Sequence, residues 1–324
     1  MTAAQEAGRP PHKPRGLIDP RLLQPSLLAS AAFLAYASAL YLLPLAGLIG
    51  LSAAEWGLAN TALRGLLTVL SGYGLFVLAT TGHEGFHFNL AKNRGLSCMA
   101  GCLFSSLMPL FCATGFFIFH WRHHRHNNGP DDPDHAHFSR YPHPLHRIGL
   151  ARVAITLRYL AATIDAAWHG PRTDAASPLD PAELQRLARF NLLCQAGGLA
   201  LYGWLLWSLP GFAMSWIPVL CIATLVSSLN AYQEHAFAPG MAQPFARSRT
   251  ATLLTWLHAG SNYHVEHHLY PAVPCWRLPQ VHRALLRAGW YDDKKHLLEA
   301  GVICTFRFAH SHYRYGGYPT SPHP

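Results

Sequence analysis

The sequence predicts an all-α integral membrane protein with four transmembrane helices in two hairpins, a re-entrant or interfacial helix and a cytosolic histidine-rich cap. Three observations lead to this prediction. Half of the 324 residues are hydrophobic and only 13% are charged, whereas soluble domains carry roughly 25% charged residues. The apolar residues cluster in segments of about 20 residues, the length of a bilayer-spanning helix. Tight groups of histidines stand beside these segments.

The N-terminal part predicts a polar arm followed by the first hairpin. Residues 1–25 are rich in proline and contain four basic residues, as expected for a flexible basic arm. Residues 27–51 contain no charged residue, and residues 60–81 contain only Arg64, whose long side chain can extend toward lipid head groups. A cleavable signal peptide is not expected, because the first apolar segment starts late and is too long.

The second hairpin is predicted around the turn-forming Pro210 and Gly211. Before it, residues 145–168 alternate apolar residues with arginines, which predicts an amphipathic helix on the membrane surface. The two spans of this hairpin are predicted at residues 190–209 and 212–229. The membrane domain as a whole is predicted over residues 26–290, and its cytosolic cap consists of residues 120–189 and 230–290. A C-terminal tail over residues 291–324 follows.

The distribution of charge predicts the orientation in the membrane. The net charge is +9, yet residues 52–58 and the Pro210–Gly211 turn contain no lysine or arginine. Since basic residues collect on the cytoplasmic side, both termini and all histidine groups are predicted to be cytoplasmic. Contact with anionic lipid accounts for the excess charge. No nucleic-acid partner is expected, because the chain has no basic module interleaved with aromatic residues.

Nine histidines in four groups are the strongest chemical signal. Neutral imidazole nitrogens bind iron, zinc and copper, and helix positions i, i+3 and i+4 share one face. Burying adjacent imidazoles is costly unless a cation satisfies them. Nine ligands exceed what one four-coordinate zinc uses, so two metal ions are predicted. The candidate ligands are His83 and His87 in HEGFH, His120, His123 and His124 in HWRHH, His235 in NAYQEH, and His264, His267 and His268 in HVEHH.

A shared metal site constrains the path of the chain between the first two groups. Gly95 to Phe119 is mostly apolar and long enough to cross a bilayer. A single crossing would place HWRHH on the opposite side of the membrane from HEGFH. We therefore expect this segment to be re-entrant or interfacial, with Pro109 and Gly115 available for bends.

Carboxylate and amide side chains near the histidines are expected to support them. Metal-bound histidines usually donate their second N–H to such groups, which orients the ring. The alternative for each acid is that it is an ordinary charged residue in a solvent-exposed loop. The candidates are Glu84, Glu234 and Glu266 beside ligands, Asp131, Asp132 and Asp134 after HWRHH, and Asn230 and Asn262, which could hold a metal-bound water.

The HEGFH motif by itself allows a different function. It matches the HExxH pattern of zinc proteases, in which Glu84 would act as the general base. An intramembrane zinc protease is therefore an alternative. The other seven histidines argue against it, because a protease needs only one or two further ligands.

The order HEGFH, HWRHH and HVEHHLYP resembles the membrane fatty acid desaturase superfamily, whose histidine boxes read HxxxH, HxxHH and HxxHH. The resemblance covers about residues 65–282. It implies four membrane helices and a cytosolic cap that carries two non-haem iron ions and activates O2 as co-substrate. By position, His235 resembles the extra ligand that these enzymes supply just past the fourth span. The HLYP continuation resembles the acyl-lipid desaturases.

The resemblance implies an oxidase of lipid or acyl chains, with fatty acyl desaturation as the first expectation. The same boxes serve hydroxylases, carotenoid ketolases and alkene-forming decarboxylases, so these remain open, as does a non-catalytic metal-binding protein. No catalytic residue beyond the metal ligands is predicted. Because the chain shows no haem-binding or iron–sulfur segment, a separate electron donor of the ferredoxin, rubredoxin or cytochrome b5 type is expected on the basic cytoplasmic face.

Overall fold

The computed structural model describes Pro14 and residues 16–51, 57–171, 177–238, 245–301 and 313–316. These residues are mostly helical. The helices are α1 Leu27–Gly50, α2 Leu58–Phe86, α3 Arg94–Ser105, α4 Ala113–His126, α5 Pro133–Phe138, α6 Pro144–Ile148, α7 Leu150–His169, α8 Pro181–Ser208, α9 Phe212–His235, α10 Thr252–Leu257, α11 His264–Leu269 and α12 Leu278–Arg287. Short 3-10 helices lie at Pro20–Leu23, Cys275–Arg277 and Lys295–Leu297.

Two small sheets join distant parts of the chain. Strand β1 (Ala236–Phe237) pairs antiparallel with β4 (Arg314–Tyr315), which draws part of the C-terminal tail against the end of α9. Strand β2 (Ser248–Arg249) pairs in parallel with β3 (Leu298–Glu299).

Three of the described helices, α1, α2 and α9, are long and apolar enough to cross a membrane. They agree with the predicted spans 27–51, 60–81 and 212–229. The Ser26 hydroxyl caps the start of α1 by accepting from the backbone N–H of Ala29. The buried faces of α1 and α2 pack against each other so closely that a Cβ on Gly74 would clash with the backbone nitrogen of Tyr41.

The predicted span 190–209 forms the C-terminal part of α8, but this helix is not among the three with sufficient apolarity. The physical reason is the polar face that α8 turns toward the protein, where Asn191, Gln195 and Tyr202 are buried. Its outer face is apolar, with Leu193 and Trp207 largely exposed. The composition of α8 alone therefore does not show that this helix crosses the membrane.

The apolar segment 95–119 does not form one helix. It breaks after α3 and resumes as α4, and α3 is shorter than a bilayer-spanning helix. Gly101 of α3 packs on Gly85, while Ser105 and Ala113 pack on Gly82, one turn earlier in α2. The chain therefore runs back along α2 and turns before α4, which brings HWRHH to the same end of α2 as HEGFH.

Side chains of α8 complete the hydrogen bonds of this turn. The Gln195 amide accepts from the backbone N–H of Leu110 (3.0 Å) and donates to the carbonyl of Phe111 (2.6 Å). Asn191 Oδ1 accepts from the N–H of Thr114 at 3.0 Å. A buried backbone turn needs such partners, since unpaired polar groups are expensive away from water. The polar residues that make α8 less apolar thus form hydrogen bonds with the backbone of the neighbouring turn.

The predicted amphipathic helix 145–168 is found as two helices, α6 and α7, separated at Gly149. Helix α7 packs so closely on α4 that a Cβ on Gly115 would clash with the carbonyl oxygen of Tyr159. On its outer side, Leu150, Val153 and Leu157 are exposed.

The described end of the N-terminal arm is attached to the domain. Arg277 Nη1 donates to the backbone carbonyls of Arg21 (3.0 Å) and Gln24 (2.7 Å). The Tyr270 hydroxyl donates to the carbonyl of Pro14 at 2.7 Å. The rest of the predicted arm, residues 1–13 and Arg15, and parts of the predicted tail, residues 302–312 and 317–324, lie outside the described residues.

Candidate metal centre

The nine histidines singled out in the sequence come together in two adjacent groups. Within each group the ring nitrogens lie within 4.8 Å of one another. The first group joins α2, α4 and α11, and the second joins α4, α9 and α11. The first group is His83, His87, His120, His124 and His267, and the second is His123, His235, His264 and His268.

Each group is built around Nε2 atoms. The linking Nε2–Nε2 distances in the first group are 3.0 Å for His83–His267, 3.1 Å for His87–His120, 3.0 Å for His120–His124 and 3.0 Å for His124–His267. In the second group they are 2.8 Å for His235–His264, 3.1 Å for His264–His268 and 3.3 Å for His123–His268.

The HWRHH and HVEHH boxes each contribute histidines to both groups. His123 and His124 are adjacent in α4 yet belong to different groups, as do His267 and His268 in α11. Adjacent helix positions point about 100° apart, so one HxxHH box can supply two metal ions at once. The rings of His124 and His268 stack at a centroid distance of 4.4 Å, which places the two groups side by side.

The hydrogen bonding of the Nδ1 atoms shows why a cation fits between these rings. His83 Nδ1 donates to Glu84 Oε1 at 2.9 Å, and His123 Nδ1 donates to Asp132 Oδ2 at 2.9 Å. A neutral imidazole that donates from Nδ1 carries a lone pair on Nε2. These lone pairs converge on one another, which is unfavourable without a positive charge between them. The donor set of imidazole nitrogens suits iron, zinc or copper.

Burial keeps most imidazoles in the neutral form that binds metal. Burial, and secondly the neighbouring imidazoles, hold the pKa values of His264, His267 and His268 well below the ordinary range of histidine. His123 differs. Burial lowers its pKa, but the surrounding carboxylates, Asp132 foremost and then Asp134 and Glu234, together outweigh this effect and raise the pKa of His123 overall.

Three of the predicted supporting acids lie against candidate ligands. Glu84 and Asp132 orient His83 and His123, and Glu84 also accepts from the backbone N–H of Cys275 at 2.9 Å. Glu234 Oε2 lies 3.6 Å from His264 Nδ1. The Asn230 amide donates to Glu234 at 2.8 Å. Asn230 therefore acts on the second group through Glu234.

Three further predicted supporting residues contact different partners or solvent. Asp131 is exposed, although Asp132 beside it is fully buried. Asn262 Nδ2 donates to the carbonyl of Arg249. Glu266 accepts from the side chains of His282, Ser248 and Tyr291. Glu266 therefore anchors α11 to the surrounding chain from the side facing away from the histidine groups.

One more predicted acid, Asp134, lies near the site, and so does Tyr315, which was not predicted. Asp134 Oδ2 lies 3.9 Å from His123 Nδ1, and burial raises the pKa of Asp134 to about 6. It belongs to the acidic stretch after HWRHH, which was the available signal. Tyr315 of β4 places its ring 5.2 Å from that of His235. Nothing in the local sequence predicts this contact, because it depends on the pairing of β1 with β4.

One cavity reaches both histidine groups. Its walls come from α2, α4, α5, α7, α9, α11 and β4, and they include His83, His120 and His267 of the first group and His123, His235 and His264 of the second. The rest of the lining is largely apolar, including Phe76, Phe111 and Phe116. An apolar chain in this cavity would therefore lie beside both groups.

A family comparison agrees with this geometry. The sequence model of the family described as fatty acid desaturase matches residues 59–299. The chain belongs to the fatty acid desaturase family. All nine histidines lie within the matched residues. No curated protein matched the chain. As a fatty acid desaturase family member, it combines helices apolar enough to cross a membrane with two histidine clusters that could hold metal ions.

Proposed function

We propose that this protein is an O2-dependent oxidase with two non-haem iron ions that acts on a lipid or acyl chain in a membrane and introduces a carbon–carbon double bond. The observation that carries the proposal is the pair of histidine groups converging beside one largely apolar cavity in a member of this family. One iron would be held by the first group and one by the second.

The residues around the irons have separable roles. When bound, the irons supply the reduction of O2 and the removal of hydrogen from an unactivated C–H bond. Glu84 and Asp132 hold the rings of His83 and His123 in the orientation that presents Nε2. The aromatic walls of the cavity, including Phe111 and Phe116, hold a substrate chain against the histidines and exclude water.

Desaturation is the first choice among related reactions. A hydroxylase, a carotenoid or alkyl-chain ketolase and an alkene-forming enzyme would use the same ligands. The zinc protease alternative is not favoured by any observation: His83 and His87 share their group with three histidines from other elements. A protease would not need those histidines.

We further propose that α8 completes a four-helix membrane domain and that the α3–α4 hairpin is re-entrant. The apolar outer faces of α8 and α7 support this arrangement, since Leu193, Trp207 and Leu157 are exposed there. The termini and the metal centre then face the cytoplasm. The separate electron donor, of ferredoxin, rubredoxin or cytochrome b5 type, docks on that side, where the exposed Arg125 and Arg140 lie near the site.

Metal content and lipid products test the proposal together. Purified protein is expected to hold about two iron ions per chain by elemental analysis. Lipids of an expressing strain are expected to gain a double bond relative to an empty-vector strain, measured by mass spectrometry. His267→Ala and His268→Ala should each weaken one site, whereas the exposed His146→Ala should change nothing. Full zinc occupancy with no iron, or unchanged lipids with iron and a suitable donor present, would contradict it.

A further inference from the structure

A guanidinium group faces the cavity without a charge partner. Arg152 of α7 lines the cavity, as do the apolar side chains of Phe76 and Ala79 from α2. It lies deep within the protein, and burial lowers its pKa. Its side chain nevertheless keeps accessible surface, because that surface faces the cavity. Among the described residues, no hydrogen bond, ion pair or ring contact satisfies it.

The other buried arginines have hydrogen-bond partners in the protein. Arg147 donates to the carbonyls of Pro142 and Tyr313, and Arg247 donates to the carbonyl of Ala236. Arg249 donates to the side chains of Gln233 and Asn230. An unpaired buried charge is strongly unfavourable, and arginine stays protonated under physiological conditions. Arg152 is therefore an exception that calls for a ligand.

The carboxylates that line the cavity have partners of their own: Glu84 accepts from His83 and Asn89, and Glu234 accepts from Asn230. Tyr159 is the one group whose charge would favour the Arg152 cation, but burial and the nearby Asp134 raise the pKa of its hydroxyl well above the usual range. Asp134 lies close to His123 and is attracted to Arg158. The Tyr315 hydroxyl is also kept protonated by burial. The cavity thus has a positive site on an otherwise largely apolar wall.

We propose that Arg152 binds the anionic head group of the substrate, a carboxylate or a phosphate, inside the cavity that also exposes His83, His120 and His264. The planar guanidinium suits two-point binding of either group. This proposal rests on the proposed function, in which the cavity holds the substrate. It favours a single-chain lipid with an anionic head over a neutral carotenoid, and it places the head group in the same enclosed space as the reacting carbon.

Direct binding measurements test the proposal. The probes are palmitate, 1-palmitoyl lysophosphatidate and the neutral hexadecanol, titrated calorimetrically into the metal-loaded protein in non-ionic detergent. We expect at least one anionic probe to bind about tenfold or more tightly than hexadecanol. Tighter binding of palmitate assigns a carboxylate head, and tighter binding of lysophosphatidate assigns a phosphate. Equal binding of all three by the wild-type protein would overturn the proposal.

Substitutions then locate the effect. Arg152→Gln should weaken binding of the preferred anion about tenfold or more and leave hexadecanol unchanged, while Arg152→Lys should retain part of the preference. Arg186→Gln, at an exposed position of α8, is the matched control. Equal loss for charged and neutral probes in a variant that keeps its metal would contradict the assignment.

The two proposals fail separately. Binding that discriminates by charge, without any oxidation of the lipid, would refute the oxidase and keep the head-group site. Oxidation of the lipid without discrimination by charge would refute the head-group site and keep the oxidase.

Discussion

The two nitrogens of an imidazole have different partners in this site, and the carboxylates decide which nitrogen faces the other imidazoles of its group. His123 shows this most clearly. Its Nδ1 lies 2.9 Å from Asp132 Oδ2, and its Nε2 faces His268 at 3.3 Å. Asp132 also accepts from the backbone N–H groups of Asn128 and Asp134, both at 2.8 Å. The carboxylate is therefore held in place before it orients the ring.

Asp132→Asn is expected to weaken metal binding at the second group by roughly 10–100-fold, because an amide no longer fixes the His123 ring as a carboxylate does. Metal content measured after dialysis against graded chelator concentrations reports the change. The control is Asp131→Asn, since Asp131 is the adjacent acid but is exposed. Equal metal loss in the two variants would show that charge near the site matters, rather than the hydrogen bond to His123.

The sequence predicted only in part which acidic side chains lie against the histidines. Sequence proximity suggested Asp131 and Asp132 equally, and only the turn before α5 buries one and exposes the other. Periodicity does not separate Glu84 from Glu266 either. Each stands next to a histidine in the sequence, yet only Glu84 hydrogen-bonds to a candidate ligand. The partners of Glu266, His282 and Tyr291, come from elsewhere in the chain.

The packing of the α3–α4 hairpin against α2 brings the HEGFH and HWRHH histidines together. Gly85 is the central residue of HEGFH, and its position against Gly101 lets α3 approach the backbone of α2. The motif therefore carries a packing requirement between its two histidines. The chain reversal was predictable from the need for a shared site, whereas the residues that satisfy the turn were not.

Gly85→Ala is expected to destabilise the protein by roughly 1–3 kcal/mol, because overpacking forces neighbouring backbones apart. The added Cβ would lie 2.7 Å from both Gly101 Cα and the carbonyl oxygen of Ser97. Thermal unfolding in detergent and metal content measure the effect. Gly65→Ala in the same helix is the control, since its Cβ would meet nothing within 4 Å. A Gly85→Ala protein as stable as the control would refute the close packing of α3 on α2.

Gln195→Leu is expected to loosen the turn between α3 and α4. The substitution leaves the backbone N–H of Leu110 and the carbonyl of Phe111 unpaired, at roughly 1–3 kcal/mol for each buried group. We expect a lower unfolding temperature and weaker metal retention, because α4 carries three candidate ligands. Leu193→Ala, on the exposed face of α8, should change neither. Unchanged stability in Gln195→Leu would mean that the turn finds other partners.

For the whole molecule, the proposed topology makes a labelling prediction. In a background without reactive native cysteines, Lys92→Cys and Arg122→Cys should react with an impermeant thiol reagent from the cytoplasmic side only. Ser208→Cys should react from the opposite side only. All three positions are exposed; Lys92 lies just before α3, and Arg122 lies in the C-terminal half of α4. Labelling of Lys92→Cys and Arg122→Cys from opposite sides would refute the re-entrant hairpin, and cytoplasmic labelling of Ser208→Cys would refute crossing by α8.

By itself, the sequence determined the helical class, three apolar helices, the nine histidines and the need for the chain to turn back between the first two boxes. These features depend on composition, periodicity and local spacing, which a linear chain displays directly. Only the tertiary structure decided that adjacent histidines serve different groups and that Tyr315 reaches His235. The same holds for Arg152, which faces the cavity without a partner among the described residues. Those features depend on contacts between distant elements, whose geometry is set by packing and backbone hydrogen bonding rather than by neighbouring residues.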